Sequence, residues 1–331
     1  MKTLIRVNGN YNPNLPDVIY HYCSLSVMQS ILSSENIRLS DSDKTSDSKE
    51  NVILIERFIK VFGDIIDAKF KHSHKVKKIK TMFLQQAHYY LNKVVPYTNQ
   101  AKRLIACFTE DGDLLSQWRG YGNMGQGVAI GFNAKYFNEF SDLSQYEFIK
   151  VIYNNAEADE LVKNIINTSV IHWFDGLINE KNRLNYSDIM LDIGVYLSQL
   201  YQAGFMFKDS AFYEEREWRL FREISYSNYS FSDGYDDYGY SDMLQGVFAR
   251  NKYSDHFDIG ELGYVSSEND FKCYLPIFFS NIKKDIIKEI IIGPKCKATP
   301  LDIKLFLAQN GYIDEFYYDD IIVKKSEIPF I

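Results

Sequence analysis

Several features that assign a protein to a class are scarce or missing in this chain. It has only four cysteines in 331 residues, with no Cys-x-x-Cys pair and no histidine at metal-ligand spacing. Neither a zinc site nor a disulfide framework is therefore expected, and no metal cofactor is expected elsewhere. Buried free thiols in a reducing cytoplasm are the expected state of the cysteines.

Excess positive charge and long apolar runs are also missing. The net charge of -7 and the pI near 5.5 argue against broad, charge-driven binding of duplex nucleic acid. No apolar run approaches the ~20 residues that cross a bilayer, and the N-terminal residues lack the apolar stretch of a secretion signal. A soluble, cytoplasmic protein without membrane contact is expected.

Apolar and aromatic side chains are abundant, at 46% and 15% of the chain. Short apolar runs alternate with amphipathic helical stripes, which predicts an α+β fold. Strands are expected near 17–23, 36–40, 103–109, 128–132 and 288–294. The longest helical stripes predict helical insertions at about 50–95 and 157–208. Because no repeat or linker-like composition is visible, residues 1–331 are expected to form one elaborated domain.

Residues 211–221 are predicted to form a strand, because they are rich in aromatic and long side chains and contain no Gly or Pro. On a strand, Glu215, Glu217 and Arg219 would share one face, and Trp218 would point to the core. Two carboxylates roughly 7 Å apart could act on the same small ligand. The alternative is an exposed strand edge on which Glu and Arg pair off.

Two further segments could contribute to a ligand site. His21 lies near the end of a predicted strand, just before a helix that Ser24 is expected to cap, where backbone donors gather. Four glycines between 120 and 127 could let the backbone approach a phosphate, although their layout is not that of a dinucleotide or P-loop fingerprint. A flexible hairpin connection is the alternative for this glycine segment.

Several segments together resemble a bacterial family known as domain of unknown function 2971 (DUF2971). They occur in order over nearly the whole chain: Tyr20-His-Tyr-Cys-Ser-Leu25, Cys107-Phe-Thr109, Leu115-Ser-Gln-Trp-Arg-Gly-Tyr121, Gly127-Val-Ala-Ile-Gly-Phe132, Glu215-Arg-Glu-Trp-Arg219, Glu289-Ile-Ile-Ile-Gly-Pro294 and Ser326-Glu-Ile-Pro-Phe330. The chain departs from the family pattern at residues 46–50, where Ser-Asp-Ser-Lys-Glu replaces Asn-Asp-Pro-x-Glu.

This family is similar to the ADP-ribosyltransferase fold, which implies a mixed, split β-sheet with helices around a cleft for NAD. By this resemblance His21 holds the dinucleotide, and Glu217 or Glu215 is the catalytic acid. The other positions that the resemblance places at the NAD cleft are Tyr22, Ser24, Thr109, Ser116, Trp118, Arg119 and Tyr121.

The activity implied is transfer of ADP-ribose from NAD to a protein or nucleic acid, as in a toxin or antiphage effector, or hydrolysis of NAD. One alternative is a non-catalytic recognition module that binds a protein partner through the Tyr-rich loop 225–242. Another is a metal-dependent nuclease that uses Asp47, Glu50, Glu215 and Glu217 as magnesium ligands.

Overall fold

A computed structural model describes residues 14–42, 50–70, 73–94, 101–143, 146–179, 189, 193–194, 196–197, 204–225, 256–313 and 321–329. The chain divides into two compact units. One, the helical unit, comprises Met1–Pro13, Ser46–Asn99 and Val151–Tyr213, and the other, the sheet unit, comprises Asn14–Thr45, Gln100–Lys150 and Glu214–Ile331. The helical unit contains the stretches predicted as helical insertions.

The α-helices of the described residues are, in chain order, α1 (Leu25–Ser34), α2 (Glu50–Lys69), α3 (His74–Tyr89), α4 (Leu115–Gly120), α5 (Ala134–Leu143), α6 (Asn155–Ile165), α7 (Ile171–Asn179), α8 (Lys283–Ile286) and α9 (Pro300–Gln309). π-helical turns follow α3 at Tyr90–Val94 and join α6 to α7 at Ile166–Val170. Short 3₁₀ turns occur at Gly204–Met206, Ser210–Glu215 and Ser280–Ile282. None of the described helices has the length and hydropathy that a membrane span requires.

The strands are β1 (Val18–Cys23), β2 (Asn36–Asp41), β3 (Ala101–Thr109), β4 (Val128–Asn133), β5 (Glu147–Lys150), β6 (Glu217–Ser225), β7 (Asp258–Ile259), β8 (Gly263–Ser266), β9 (Phe271–Phe278), β10 (Ile287–Ile292) and β11 (Ile322–Lys325). They form one open sheet in the order β11-β10-β4-β1-β3-β2-β9-β7, with β6 on β3, β5 on β6 and β8 on β9. Among these described pairs only β10–β11 is parallel. The predicted α+β class is confirmed.

The sheet branches at β3. Strand β6 pairs with the whole length of β3, from Ala101 to Thr109. The other edge of β3 is shared, because β1 pairs with it at Thr109 whereas β2 pairs with it at Leu104 and Ile105. The strands β1 and β2 therefore belong to two arms of the sheet that meet on one central strand.

The helices that pack on this sheet begin at residues whose side chains cap the helix N-terminus. The Ser24 hydroxyl accepts a hydrogen bond from the Val27 N–H and caps α1. A capping box between Thr299 and Asp302, with Pro300 in the first turn, begins α9. Apolar residues of α1, α5 and α9 then join the main core of the sheet unit, which is dominated by aromatic and branched side chains.

The two faces of the sheet carry different residues, because side chains alternate along each strand. The core face carries Ile19, Phe108, Ile130 and Trp218, all of which belong to the main hydrophobic cluster. The opposite face carries Tyr20, Tyr22, Thr109 and Glu217, as the strand register requires, and is called the tyrosine face. The prediction that Trp218 points to the core is confirmed.

Candidate functional site

Polar side chains form a row across the tyrosine face. Residues in direct register on neighbouring strands project to the same side of a sheet. The register joins five strands through the sequence of pairs Glu289–Gly131, Gly131–Tyr20, Tyr20–Thr109 and Thr109–Glu217. The row therefore starts with one carboxylate in β10, ends with another in β6, and crosses the sheet where it branches.

Glu217 is held by an arginine of its own strand. Arg219 donates from Nε to Oε1 of Glu217 at 2.8 Å and from Nη2 to Oε2 at 3.0 Å. Glu217 is 5% exposed and Arg219 is 3% exposed, so this two-point contact lies in a dry environment. A guanidinium in that geometry favours the ionised form of the carboxylate and fixes its orientation.

Glu215 lies outside the strand, which corrects the prediction of a strand over 211–221. Ser210–Glu215 forms a 3₁₀ turn, and β6 starts only at Glu217, after Arg216 with φ of 41°. The cause is local: the Asp209 carboxylate accepts the Ala211 N–H at 2.8 Å, which favours a turn over an extended chain. Glu215 is partly exposed and accepts a long contact of 3.5 Å from the Tyr121 hydroxyl.

His21 projects from the core face. Its register partner in β4 is Ile130, and its ring lies edge-on to Phe108 with the centroids 6.0 Å apart. Nδ1–H donates to the Cys107 carbonyl at 3.0 Å. Burial lowers the pKa of the imidazole below its ordinary value, against the opposing effect of that hydrogen bond. The structure therefore does not bring the His21 and Glu217 side chains together.

Tyr22 and Trp118 build a buried aromatic wall on the tyrosine face. Their rings meet edge-on with centroids 4.7 Å apart. The Tyr22 hydroxyl donates to the Asp111 carbonyl and accepts the Leu114 N–H, each at 2.9 Å, and burial raises the pKa of Tyr22. Both rings are buried, and through these contacts they stabilise the loop that follows β3.

Thr109 ends β3 beside Glu217. Its hydroxyl accepts the Asp111 N–H at 3.3 Å, and its side chain is buried. Because Thr109 is in direct register with Glu217, the hydroxyl and the carboxylate lie on the same face of adjacent strands. Of the residues predicted to bind NAD, Thr109 is the one that the register places beside the predicted catalytic acid.

Asp113 joins the loop after β3 to the end of the described chain. It accepts hydrogen bonds from Trp118 Nε1 at 2.7 Å, Ser326 Oγ at 2.5 Å and the Glu327 N–H at 2.7 Å. Sequence reasoning did not single out Asp113, although the turn Glu110-Asp-Gly-Asp113 was visible. Its role depends on contacts with residues more than two hundred positions away.

Tyr20 and Glu289 were also missed. The Tyr20 hydroxyl donates to Oε1 of Glu289, and Lys324 Nζ lies 3.0 Å from Oε2. The contact crosses β4 at Gly131, where a Cβ atom would stand 3.1 Å from the Tyr20 ring and 2.9 Å from Glu289 Cγ. Burial and the neighbouring Glu289 carboxylate raise the pKa of Tyr20.

The remaining predicted positions are spread around α1 and α4. Ser24 caps α1. The Ser116 Oγ is buried and has no hydrogen-bond partner within the described residues. Arg119 and Tyr121 are exposed at the end of α4. Tyr121 reaches a predicted catalytic carboxylate through its contact with Glu215.

The glycine segment is engaged in backbone contacts. Gly125 N–H donates to the Trp118 carbonyl at 3.0 Å and Gly127 N–H donates to the Gly122 carbonyl at 2.9 Å. A Cβ atom on Gly127 would stand 2.0 Å from the Cys23 carbonyl oxygen. These glycines therefore allow strand ends to approach each other, and the N–H groups of Gly125 and Gly127 are used within the loop.

The magnesium-site alternative finds no support among the described residues, and the Tyr-rich loop alternative is not tested by them. The described residues bring together no group of three or more His, Cys, Asp or Glu side chains that could hold a metal ion. Asp47 and the Tyr-rich stretch 226–242 lie outside the described residues. All four cysteines are free, and Cys23, Cys273 and Cys296 are buried.

A separate pocket of about 450 Å³ lies within the helical unit. Its lining carries both signs of charge, including Lys60, Lys208 and Asp209. One pair is already satisfied, since Arg57 Nη1 lies 2.7 Å from Asp159 Oδ1. This pocket therefore does not select a ligand by its charge.

The comparison with known families covers the central part of the chain. Residues 117–220 match one family. It is described as "Protein of unknown function (DUF2971)". The DUF2971 match extends from Gln117, next to Trp118, through the Glu217–Arg219 pair, and covers less than half of the chain. No curated protein and no solved structure shows significant similarity to the chain.

Proposed function

We propose that the chain binds NAD on the tyrosine face and cleaves the bond between nicotinamide and ribose. The ADP-ribose passes to a protein or nucleic acid, or to water. The observation that carries the proposal is the row Tyr20–Thr109–Glu217 at the branch of the sheet. The resemblance to the ADP-ribosyltransferase fold implies a mixed, split sheet with a catalytic Glu on a later strand, and the position of Glu217 on β6 beside the branch supports the proposal.

Cleavage of the bond between nicotinamide and ribose is favoured by a fixed negative charge beside the ribose. Loss of nicotinamide builds positive charge on the ribose, as in the oxocarbenium-like transition state of glycoside hydrolysis. The Glu217 carboxylate stabilises that charge more strongly in the transition state than in the ground state. Because Glu217 is buried, the surrounding low dielectric strengthens its effect on a sugar bound beside it.

The pair with Arg219 is compatible with contact to a ribose hydroxyl. A carboxylate offers about four lone-pair sites, and a two-point guanidinium contact uses two of them. Thr109 supplies a hydroxyl beside Glu217 on the adjacent strand. His21 has no part in this site, because the strand register directs its side chain to the core face.

The test is incubation of the purified chain with NAD labelled in the adenylate, with and without cell lysate. Wild type releases nicotinamide or labels a macromolecule. Glu217→Gln keeps the shape of the side chain but removes its charge, and lowers the rate by about 10²–10³-fold. Glu215→Gln is the matched control and changes the rate by less than about threefold. Unchanged NAD with wild-type protein in lysate would overturn the proposal.

The same ion pair is also compatible with a second candidate, a non-catalytic recognition module. A buried Glu–Arg pair with two hydrogen bonds also occurs as a purely structural contact. In that case Glu217→Gln lowers stability by several kcal/mol but leaves partner binding and the biological effect intact in the folded fraction. Measuring NAD turnover and the melting temperature of the same preparation separates the two candidates.

A further inference from the structure

Arg219 stands out among the charged groups near the proposed acid because it contacts both carboxylate oxygens of Glu217. The two residues are i and i+2 on β6, so their side chains leave the same face of the strand. The distances are 2.8 Å and 3.0 Å, and both side chains are more than nine-tenths buried. This arrangement sets where the carboxylate points as well as its charge.

Other titratable groups share this face on the neighbouring strands. Cys107 in β3 is the register partner of Arg219, Glu147 in β5 is the partner of Phe221, and Tyr20 lies one strand beyond β3. None of these three side chains is a cation, and the other buried arginine on this face of β3, Arg103, is paired in register with Glu223 and not with Glu217. Among these groups, Arg219 is the cation that contacts the carboxylate of Glu217 directly.

We propose that Arg219 is a positioning residue that holds Glu217 ionised and aims its carboxylate at the ribose. The inference rests on the proposed function and deepens it, since it says how the acid is kept ready for NAD. A lysine in this position would keep the positive charge but lose the planar two-point contact. Charge and orientation can thus be separated by substitution.

The first experiment measures kcat/KM for NAD from pH 5 to 9. In Arg219→Gln the positive charge is gone, so the acid limb of the profile moves up by about one to three pH units. In Arg219→Lys the limb stays in place while kcat falls about tenfold, because the two-point contact is lost. Arg103→Gln removes another buried arginine from the same face of β3 and leaves the limb unmoved.

A second experiment reads the carboxylate without relying on turnover. The ¹³C signal of the Glu217 carboxyl, assigned as the one missing in Glu217→Gln, is titrated in wild type and in the Arg219 variants. It titrates at a higher pH in Arg219→Gln than in wild type. If Arg219→Gln does not fold, the Lys variant is compared in the same way for its kcat and for an unmoved titration.

The outcomes distinguish the two claims. An unshifted Glu217 titration and acid limb in folded Arg219→Gln would overturn the role of Arg219, as would wild-type kcat in folded Arg219→Lys. Absence of NAD cleavage by wild type at every pH would overturn the proposed function, whereas the shifted ¹³C titration would still show that Arg219 controls the charge of Glu217.

Discussion

His21 and Glu217 leave the sheet on opposite faces. The register pairs His21 with Ile130 of the core face, whereas Glu217 follows Tyr20 and Thr109 across the tyrosine face. A ligand that reaches Glu217 from the tyrosine face cannot also contact the His21 ring, because the sheet lies between them. The site expected from the resemblance therefore differs at His21, the residue expected to hold the dinucleotide.

The first prediction concerns NAD cleavage by variants of the two faces. His21→Leu removes the imidazole but keeps an apolar side chain against Phe108, so kcat/KM for NAD stays within about threefold of wild type in the folded protein. Thr109→Val is the matched change on the tyrosine face, and loss of its hydroxyl lowers kcat/KM by about fivefold to tenfold. Loss of activity in a folded His21→Leu variant would contradict the assignment of the faces.

The second prediction concerns stability and pH. Burial lowers the pKa of His21 in the folded chain, and the unfolded value is about 6.5. Above that value the residue is neutral in both states. As pH falls below it, the unfolded chain binds a proton that the folded chain does not, so the free energy of unfolding decreases until the folded pKa is passed.

Urea denaturation between pH 5 and 7.5, followed by tryptophan fluorescence, checks this dependence. His21→Gln keeps an N–H donor for the Cys107 carbonyl but cannot titrate, so the slope against pH is smaller by up to about 1.4 kcal/mol per unit. The exposed His172 provides the control, and His172→Gln leaves the slope unchanged. Equal slopes for His21→Gln and wild type would refute the prediction.

The third prediction tests the packing of the glycine segment. A Cβ atom on Gly127 would meet the Cys23 carbonyl oxygen at 2.0 Å, whereas on Gly120 it would have nothing within 4 Å. Gly127→Ala therefore destabilises the protein by about 3 kcal/mol or more. Gly120→Ala, at the end of α4, is neutral or stabilising by up to about 1 kcal/mol. Thermal melts of both variants that coincide would indicate a loose hairpin connection instead.

Much of the fold follows from local patterns. The predicted strands at 17–23, 103–109 and 128–132 correspond to β1, β3 and β4. They could be predicted because buried strands appear in a sequence as short apolar runs. The branch at β3 could not be predicted, since it depends on β1 and β2 pairing with opposite ends of one edge. Such pairing is decided by the whole core and leaves no local sequence signal.

The arrangement of the candidate site could likewise be predicted only in part from local sequence patterns. Tyr20, His21 and Tyr22 alternate between faces, and only the register with β4 decides which of them lies on the face of Glu217. The two-residue alternation that would place Glu215, Glu217 and Arg219 on one strand face does not extend to Glu215, because the turn that Asp209 stabilises occupies Ser210–Glu215. Asp209 carries the local signal for this turn, because Asp side chains often accept the backbone N–H two residues later. That signal favours a shorter strand than 211–221.

The most direct test of the central claim is a crystal structure of Glu217→Gln with NAD. The predicted result places the nicotinamide ribose on the tyrosine face, with a ribose hydroxyl about 3 Å from the side chain of residue 217 and with Thr109 and Tyr20 beside it. NAD bound on the core face next to His21, or no NAD at saturating concentration, would contradict the account.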